Sequence, residues 1–157
     1  MLLLLSAIFV ITLVSVLGYS MVGWAPFEMR WRDALLGAML PGDGDRPGFD
    51  DIDLREFWAI YDTHAPPLVR IGLRAATWFL TFLPLFVSGC RKPFFRLDAD
   101  RRDRFLRAAS SSRFYLVRQL MMTVKTFAAF GYFSNGVVRG LFGIPSGTPG
   151  PTTWSNG

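Results

Sequence analysis

The 157-residue sequence is poor in the side chains that build self-contained metal and disulfide sites. It contains one cysteine, Cys90, and one histidine, His64. A disulfide within the chain needs two cysteines, and a closed zinc site, an iron–sulfur cluster or a covalently attached haem needs more Cys or His ligands than are present. We therefore expect this chain to hold no metal and no cofactor of its own.

The sequence also has no pattern that indicates acid–base or nucleotide chemistry. Most carboxylates fall between residues 43 and 62, where loop solvation and helix capping account for them. His64 is alone at a helix junction, where a structural role is the simpler interpretation. The glycine-rich segment 42–48 (GDGDRPG) lacks the lysine and the βαβ context of a phosphate-binding loop. We expect no catalytic residues, and we expect that the chain is not an enzyme.

Charge is absent from the N-terminal part of the chain. No charged side chain precedes Glu28, and residues 2–22 are almost entirely apolar. About 20 such residues are enough to cross a bilayer. The run is too long for the apolar core of a usual secretory signal, and neither a basic residue before it nor a small-x-small site after it supports cleavage. We predict a retained, single-pass transmembrane anchor over residues 1–27, with a cleaved signal or a buried helix of a larger assembly as alternatives.

The remaining charge is unevenly distributed. Residues 28–62 contain nine acids and four bases, whereas residues 63–157 contain thirteen bases and three acids, and the net charge is +5. A basic region beside a membrane anchor favours anionic lipid or an acidic protein surface, and no nucleic-acid-binding module is recognisable. We expect protein subunits and membrane lipid as partners, and no nucleic acid.

Apolar periodicity and turn residues predict an all-α fold. We expect an amphipathic segment with a Gly/Pro linker over 28–50, a small helical bundle of about four helices over 51–145, and an irregular tail over 146–157. The helices of the bundle are predicted over 53–61, 67–87, 98–110 and 112–132, followed by a short helix over 136–142. Asp53 and Asp98 are predicted N-caps, and Glu56 makes the first of them resemble a capping box.

Two of these helices are predicted to be buried in the interior of the fold. Residues 75–89 are uncharged, but the run is short for a span, Pro84 interrupts it and Arg74 precedes it. We interpret it as a buried central helix, with a transmembrane or re-entrant segment as the alternative. The 112–132 helix is apolar on most sides, so we expect it to be mostly buried. Its predicted apolar row is Leu116, Leu120, Val124 and Phe127, with Val117, Met121 and Ala128 beside it.

Seven basic side chains in 91–107 form a candidate partner-binding or lipid-headgroup patch. They are Arg91, Lys92, Arg96, Arg101, Arg102, Arg104 and Arg107. A headgroup-binding surface would be built from such side chains. Three aspartates in the same stretch support a plainer alternative, a solvated helix face with the i,i+4 pairs Asp100–Arg104 and Asp103–Arg107.

The C-terminal half resembles a known family of small subunits. The residues that carry the resemblance are Phe95-Arg96-Leu97, Phe105-Leu106, 110–113, KTFAAFGYFS at 125–134, Val137-Val138 and LFGIP at 141–145. Over about 51–145 they resemble the family named for gluconate 2-dehydrogenase subunit 3, and the helical module ahead of the flavin domain in long-chain alcohol oxidases of the glucose–methanol–choline class. This resemblance implies an accessory subunit that binds or helps export a large flavoprotein dehydrogenase. The chain departs from the family in having a plain hydrophobic helix where a twin-arginine signal is common, and in lacking the flavin domain.

The leading expectation is a non-catalytic accessory or anchoring subunit of a membrane-associated, flavin-dependent oxidoreductase. The alternatives are a structural subunit of another membrane complex, respiratory or photosynthetic, and an anionic-lipid-binding membrane protein. Arg30 and Arg32 after the anchor favour a cytoplasmic body, whereas the resemblance implies the far side of a bacterial inner membrane. A cytoplasmic body and a body on the far side of the membrane are therefore both kept as alternatives.

Overall fold

In the computed structural model of this protein, residues 23–87 and 92–144 are described, together with Gly18. All regular structure in these ranges is helical and none of it is a β-strand, which confirms the predicted all-α class. Most of the predicted anchor (1–22) and the whole predicted tail (146–157) lie outside the described residues.

Six helices make up the described part of the chain. They are α1 (Pro26–Met39), α2 (Arg55–His64), α3 (Pro67–Phe82), α4 (Ala99–Ser110), α5 (Tyr115–Ser134) and α6 (Gly136–Leu141). One further helical turn, Pro84–Val87, follows α3, and short 3₁₀ turns occupy Phe49–Asp51 and Phe94–Arg96.

Helix boundaries follow local chemistry. Proline occupies the first helical position of α1 and α3, where its missing N–H is no loss. The helix predicted over 67–87 is divided at Pro84, so α3 ends at Phe82, because proline lacks the N–H that the helical ladder needs. Asp98 caps α4 by accepting a hydrogen bond of 2.9 Å from the Arg101 amide, so this predicted cap is confirmed.

The predicted cap at Asp53 is wrong. Helix α2 begins two residues later, at Arg55, and Leu54 occupies the capping position without a side-chain bond. The Asp53 carboxylate instead accepts hydrogen bonds from the Arg55 amide and guanidinium, the shortest being 2.6 Å. Asp53 therefore binds the first amide of α2 and the Arg55 guanidinium from a position before the helix, and it does not occupy the N-cap position itself.

Helix α1 forms from the predicted amphipathic segment and packs into the core of the helical body. Leu35 and Leu36 are each 1 % exposed, and α1 packs against both α3 and α5. The Gly/Pro loop after α1 predicts a boundary with the body, but these contacts join α1 to it. The buried cluster that joins the elements comprises Leu35, Leu36, Phe49, Ala76, Leu80, Phe94, Leu97, Phe105, Leu106, Ala109, Val117, Met121, Val124, Ala128, Tyr132 and Val138.

Helix α5 is less buried than the sequence predicts. Val117, Met121, Val124 and Ala128 face the core, whereas Leu116 is 59 % exposed. The side of α5 that faces the core is therefore rotated away from the predicted apolar row, and the expectation that the helix is mostly buried is wrong. When a helix is apolar on most sides, its hydrophobic periodicity does not indicate which side faces the core. For α5 that side is determined by packing against α1, α3 and α4.

Helix α3 has one buried and one exposed side. Leu73, Ala76 and Leu80 are fully buried, so this side lies in the interior as predicted. On the other side Leu68 is 79 % and Phe86 is 83 % exposed. Within the described ranges, Pro67–Phe86 is the one helical stretch whose length and apolar composition would suffice to cross a membrane. Core helices of soluble proteins can meet the same criterion.

Candidate membrane and partner interface

A buried polar cluster lies where the chain leaves the predicted anchor. Glu28, in the first turn of α1, is completely buried and accepts three hydrogen bonds. The donors are the Ala25 amide at 3.0 Å, the Arg74 guanidinium at 3.0 Å and the Trp78 indole N–H at 2.7 Å. Arg74 also donates to the carbonyl oxygen of Gly23 at 3.0 Å. Arg74 of α3 thus binds the backbone just before Trp24, and Glu28 of α1 binds the backbone just after it.

The electrostatics of this cluster favour an ionised carboxylate. Burial acts to raise the pKa of Glu28, but the hydrogen bonds from Trp78 and the Ala25 amide, with the charge of Arg74, outweigh it and lower the pKa. Glu28 is therefore an anion paired to Arg74 at neutral pH. Because both of its carboxylate oxygens are hydrogen-bonded to groups of the protein, Glu28 holds the structure together and is not placed to exchange protons with a substrate.

Trp24 is held by two cations. The guanidinium carbons of Arg32 and Arg74 lie 5.2 Å and 5.1 Å from the centre of its rings, and Arg32 also lies 3.6 Å from the ring centre of Trp58. Cation–π contacts of this kind strengthen when the cation is desolvated, and Arg32 is only 5 % exposed. We call residues 23–25, with the side chains of Glu28, Arg32, Arg74 and Trp78, the junction.

A cluster of aromatic rings adjoins the junction. Trp31 makes edge contacts with Phe27, Trp78 and Phe82 at centroid distances of 5.0 to 5.1 Å, and Phe95 stacks on it at 5.9 Å. We call Phe27, Trp31, Trp78, Phe82 and Phe95 the aromatic patch. Phe27 and Trp78 remain 44 % and 38 % exposed, so the patch reaches the surface. Leu68, Ala75, Phe79 and Phe86 continue the apolar surface along α3, and we call them the α3 outer face.

A second apolar surface lies on α5 and α6. Its side chains are between 43 % and 69 % exposed, and they are Tyr115, Met122, Phe130, Phe133, Val137 and Leu141. We call this set the α5–α6 face. Phe133 contacts Phe142 at 5.4 Å, which extends the surface toward the C-terminal end of the described chain. Contiguous exposed apolar surface of this kind indicates a membrane or protein contact.

The seven predicted basic residues do not share one environment. Arg91 lies outside the described residues, and Lys92 is exposed. Arg96 lies over the ring of Phe95 at 5.7 Å, beside the aromatic patch. Arg102 turns inward, donating to the Phe95 carbonyl at 2.9 Å and lying 5.7 Å from the Phe94 ring centre.

The other three basic residues are engaged within α4 and its cap. Arg101 pairs with Asp98 at 3.3 Å, and Arg107 pairs with Asp103 at 2.7 Å, as predicted. The predicted Asp100–Arg104 pair is wrong, because Arg104 donates to the backbone carbonyl of Asp100 at 3.4 Å and, among the described residues, does not pair with its carboxylate. This backbone bond leaves the charges of Arg104 and Asp100 exposed to solvent.

The titratable groups elsewhere are dispersed. An open groove of about 640 Å³ runs between α1 and α2, lined by Trp24, Asp50, Arg55 and Trp58 among others. Burial, with the charges of Asp33 and Asp51, raises the pKa of Asp50, and Arg102 opposes the rise. Across the ranges described, no three His, Cys, Asp or Glu side chains converge as metal ligands would.

The contacts of His64 and Tyr61 indicate structural roles for both side chains. His64, exposed at the end of α2, places Nδ1 3.2 Å from the carbonyl oxygen of Ile60. Burial, with the charge of Asp62, raises the pKa of Tyr61 to about 12, so its phenol stays neutral. Its ring lies edge-on to Trp58 and Phe127.

Comparison with known proteins identifies no relative. No protein-family model matches this chain, and neither a curated protein nor a solved structure does. The interface is therefore interpreted from its own chemistry.

The junction is absent from the sequence-based predictions, although two signals point to it. Glu28 is the first charged residue of the chain, and Arg74 is a basic residue directly before the uncharged run 75–89. Charges in such surroundings are costly unless they are paired. That cost could have suggested that the two residues pair with each other.

Proposed function

We propose that this chain is a non-catalytic accessory subunit that anchors a flavin-dependent oxidoreductase at a membrane. The observation that carries the subunit role is the α5–α6 face, where Phe130, Val137 and Leu141 are each more than half exposed. Side chains of this type form the buried centres of stable protein interfaces. A partner covering this face would remove a large apolar surface from water.

The flavoprotein partner is suggested by where the family resemblance falls. Of its most distinctive segments, 125–134 lies in the second half of α5, 137–138 lies in α6, and 141–145 begins at the last residue of α6. Phe130, Phe133 and Val137 therefore belong both to the resembling sequence and to the exposed apolar face. A sequence pattern that keeps exposed residues apolar is better explained by binding than by folding.

The anchoring role rests on the apolar segment 2–22, which continues directly into the junction. The first residues after it, Gly23 and Ala25, hydrogen-bond to Arg74 and Glu28. The body is thus tied firmly to the end of this segment. A partner bound to the body would be held close to the membrane that the segment enters.

Mild-detergent purification of the tagged, full-length chain from its native membranes tests this function. We expect a large partner to copurify with flavin absorbance and fluorescence. The double variant Phe130→Ser with Val137→Ser should lose the partner. Ile60→Ser, which changes an apolar residue of α2 that is 54 % exposed, is the matched control and should retain it. A colourless single species would contradict the proposal.

The same face also fits a structural subunit of a different membrane complex, because an apolar surface does not specify the chemistry of its partner. The purification separates the two functions. A copurifying multispan protein that carries haem or chlorophyll in place of flavin would replace the oxidoreductase proposal with this one.

A further inference from the structure

The aromatic patch and the α3 outer face form one surface that the rest of the described chain leaves open. Phe27 contacts Trp78 at 6.2 Å, and Trp78 contacts Phe82 at 6.1 Å, so the patch continues onto α3. Along α3, Leu68, Ala75, Phe79 and Phe86 follow one another at intervals of seven, four and seven residues, which places them on a single side of the helix. Phe79 is 40 % exposed.

This surface lies beside the point where the chain enters the apolar segment 2–22. Trp78 binds Glu28 directly, and Glu28 binds the Ala25 amide. Gly23 is held by Arg74, one helical turn before Trp78. Three residues extend over roughly 10 Å at most, so a bilayer entered at residue 22 lies close to the patch. The bonds to Gly23 and Ala25 also prevent these residues from acting as a free tether.

The surroundings of the patch match a lipid headgroup region. Tryptophan and phenylalanine are favoured at the boundary between headgroups and acyl chains. Arg96 lies over Phe95 at the rim of the patch, and the exposed Lys92 precedes it in the same loop. Basic side chains at this position can contact anionic lipid phosphates while the rings enter the apolar layer.

We propose that the helical body lies on the bilayer surface, with the aromatic patch and the α3 outer face inserted at the headgroup boundary. The inference rests on the membrane anchor included in the proposed function, but not on the flavoprotein partner. In this arrangement the lipid bilayer covers the α3 side of the molecule, and the α5–α6 face is available to a protein partner.

A membrane-spanning α3 is the main competing arrangement. The opposite side of α3 places Leu73, Ala76 and Leu80 against the interior, and α3 packs on α1 and α5. A span would have to take these helices into the bilayer with it or separate from them. Taking these helices into the bilayer is costly because of their charged groups, including the buried Glu28–Arg74 pair. Separating α3 from them is costly because it exposes the apolar core.

Site-directed spin labelling tests the proposal. Single-cysteine variants are made in the full-length chain with Cys90→Ser and placed in nanodiscs that contain anionic lipid. Nitroxides at Leu68→Cys, Phe79→Cys and Phe86→Cys report collision rates with oxygen, which concentrates in lipid, and with a water-soluble nickel chelate. The same label at Met122→Cys on the outer side of α5, which is 57 % exposed, is the matched control.

We expect all three α3 labels to collide more with oxygen than with nickel and to share a shallow depth, while Met122→Cys stays accessible to nickel. Equal nickel access at the α3 and α5 labels would overturn the proposal. Protection of the α3 labels from both reagents would do so as well, because it indicates a protein cover. A depth that changes steadily over the roughly 27 Å from Leu68 to Phe86 would indicate a span and would also overturn it.

A label at Ile8→Cys separates this result from failure of the anchor. If Ile8→Cys reports the bilayer interior while the α3 labels stay in water, the anchor holds and only the surface contact is wrong. If Ile8→Cys is also in water, the anchoring part of the proposed function fails with it.

Discussion

Glu28 and Arg74 lie 46 residues apart in the sequence, and their side chains meet at 3.0 Å in the interior. The same guanidinium donates to the Gly23 carbonyl, so one side chain of α3 fixes both the start of α1 and the residue that follows the apolar segment. The pair therefore connects the residues that follow the apolar segment 2–22 to the core.

Glu28→Gln is expected to destabilise the fold by about 3–5 kcal/mol, because it leaves Arg74 buried without its counter-charge. Glutamine keeps the size of the side chain, so lost packing is not the cause. Thermal and denaturant unfolding in detergent measure the effect. Asp53→Asn, which removes the carboxylate of an exposed pair with Arg55, is the control and should leave the midpoint unchanged. Equal losses in both variants would contradict a special role for the buried pair.

The stability contributed by Glu28 should depend on pH. Its pKa is lowered from 4.5 in the folded chain, so the unfolded chain takes up the proton first as the solution is acidified. The contribution is complete above pH 4.5 and is lost as the pH falls through the lower folded pKa. We expect the difference in unfolding midpoint between the wild type and Glu28→Gln to narrow at acidic pH. A constant difference across the titration would argue against this assignment.

Gly37→Ala should destabilise the chain. A Cβ at residue 37 would lie 2.5 Å from both carboxylate oxygens of Asp50, which is too close without a shift of that side chain. We expect a net loss of at most about 1 kcal/mol in unfolding free energy, because the displaced carboxylate belongs to an exposed side chain and alanine is favoured over glycine within a helix. Gly72→Ala in α3 is the matched control, because no atom lies within 4 Å of the added methyl group, and it should be neutral or stabilising by up to about 1 kcal/mol. Adding Asp50→Ala to Gly37→Ala should restore part of the loss.

Tyr132→Phe should loosen the loop between α1 and α2. The Tyr132 hydroxyl group donates to the Pro47 carbonyl at 2.9 Å, which joins the end of α5 to that loop. Removing the donor should cost about 0.5–1.5 kcal/mol and increase amide exchange near Gly48. Tyr115→Phe changes a ring that is 67 % exposed and should have no measurable effect. Unchanged exchange in Tyr132→Phe would show that the loop is held by other contacts.

Local chemistry in the sequence was sufficient to predict the helices that have clear ends. Asp98 caps α4 as expected, and the apolar residues Leu97, Phe105, Leu106 and Ala109 are all buried. When a helix has a strongly polar side and a narrow apolar side, only the apolar side can face the core. Helix α5 offered no such contrast, so the side that faces the core depended on neighbours that are distant in the sequence.

The junction could not be derived from local patterns. Neither Glu28 nor Arg74 reveals its partner through spacing, because 46 residues separate them. The placement of α1 in the core depended on the same long-range contacts. The apolar segment 2–22 is clear from composition, and its environment remains a prediction that the labelling experiment addresses.

The order of synthesis gives the Arg74–Gly23 hydrogen bond a further consequence. A ribosome must add 51 residues after Gly23 before the guanidinium that holds it exists. In the anchored arrangement proposed above, segment 2–22 would enter the membrane during that interval, before this bond can constrain its orientation. Closure of the bond would then fix the body to a segment that is already inserted, so topology would be set before the fold is complete.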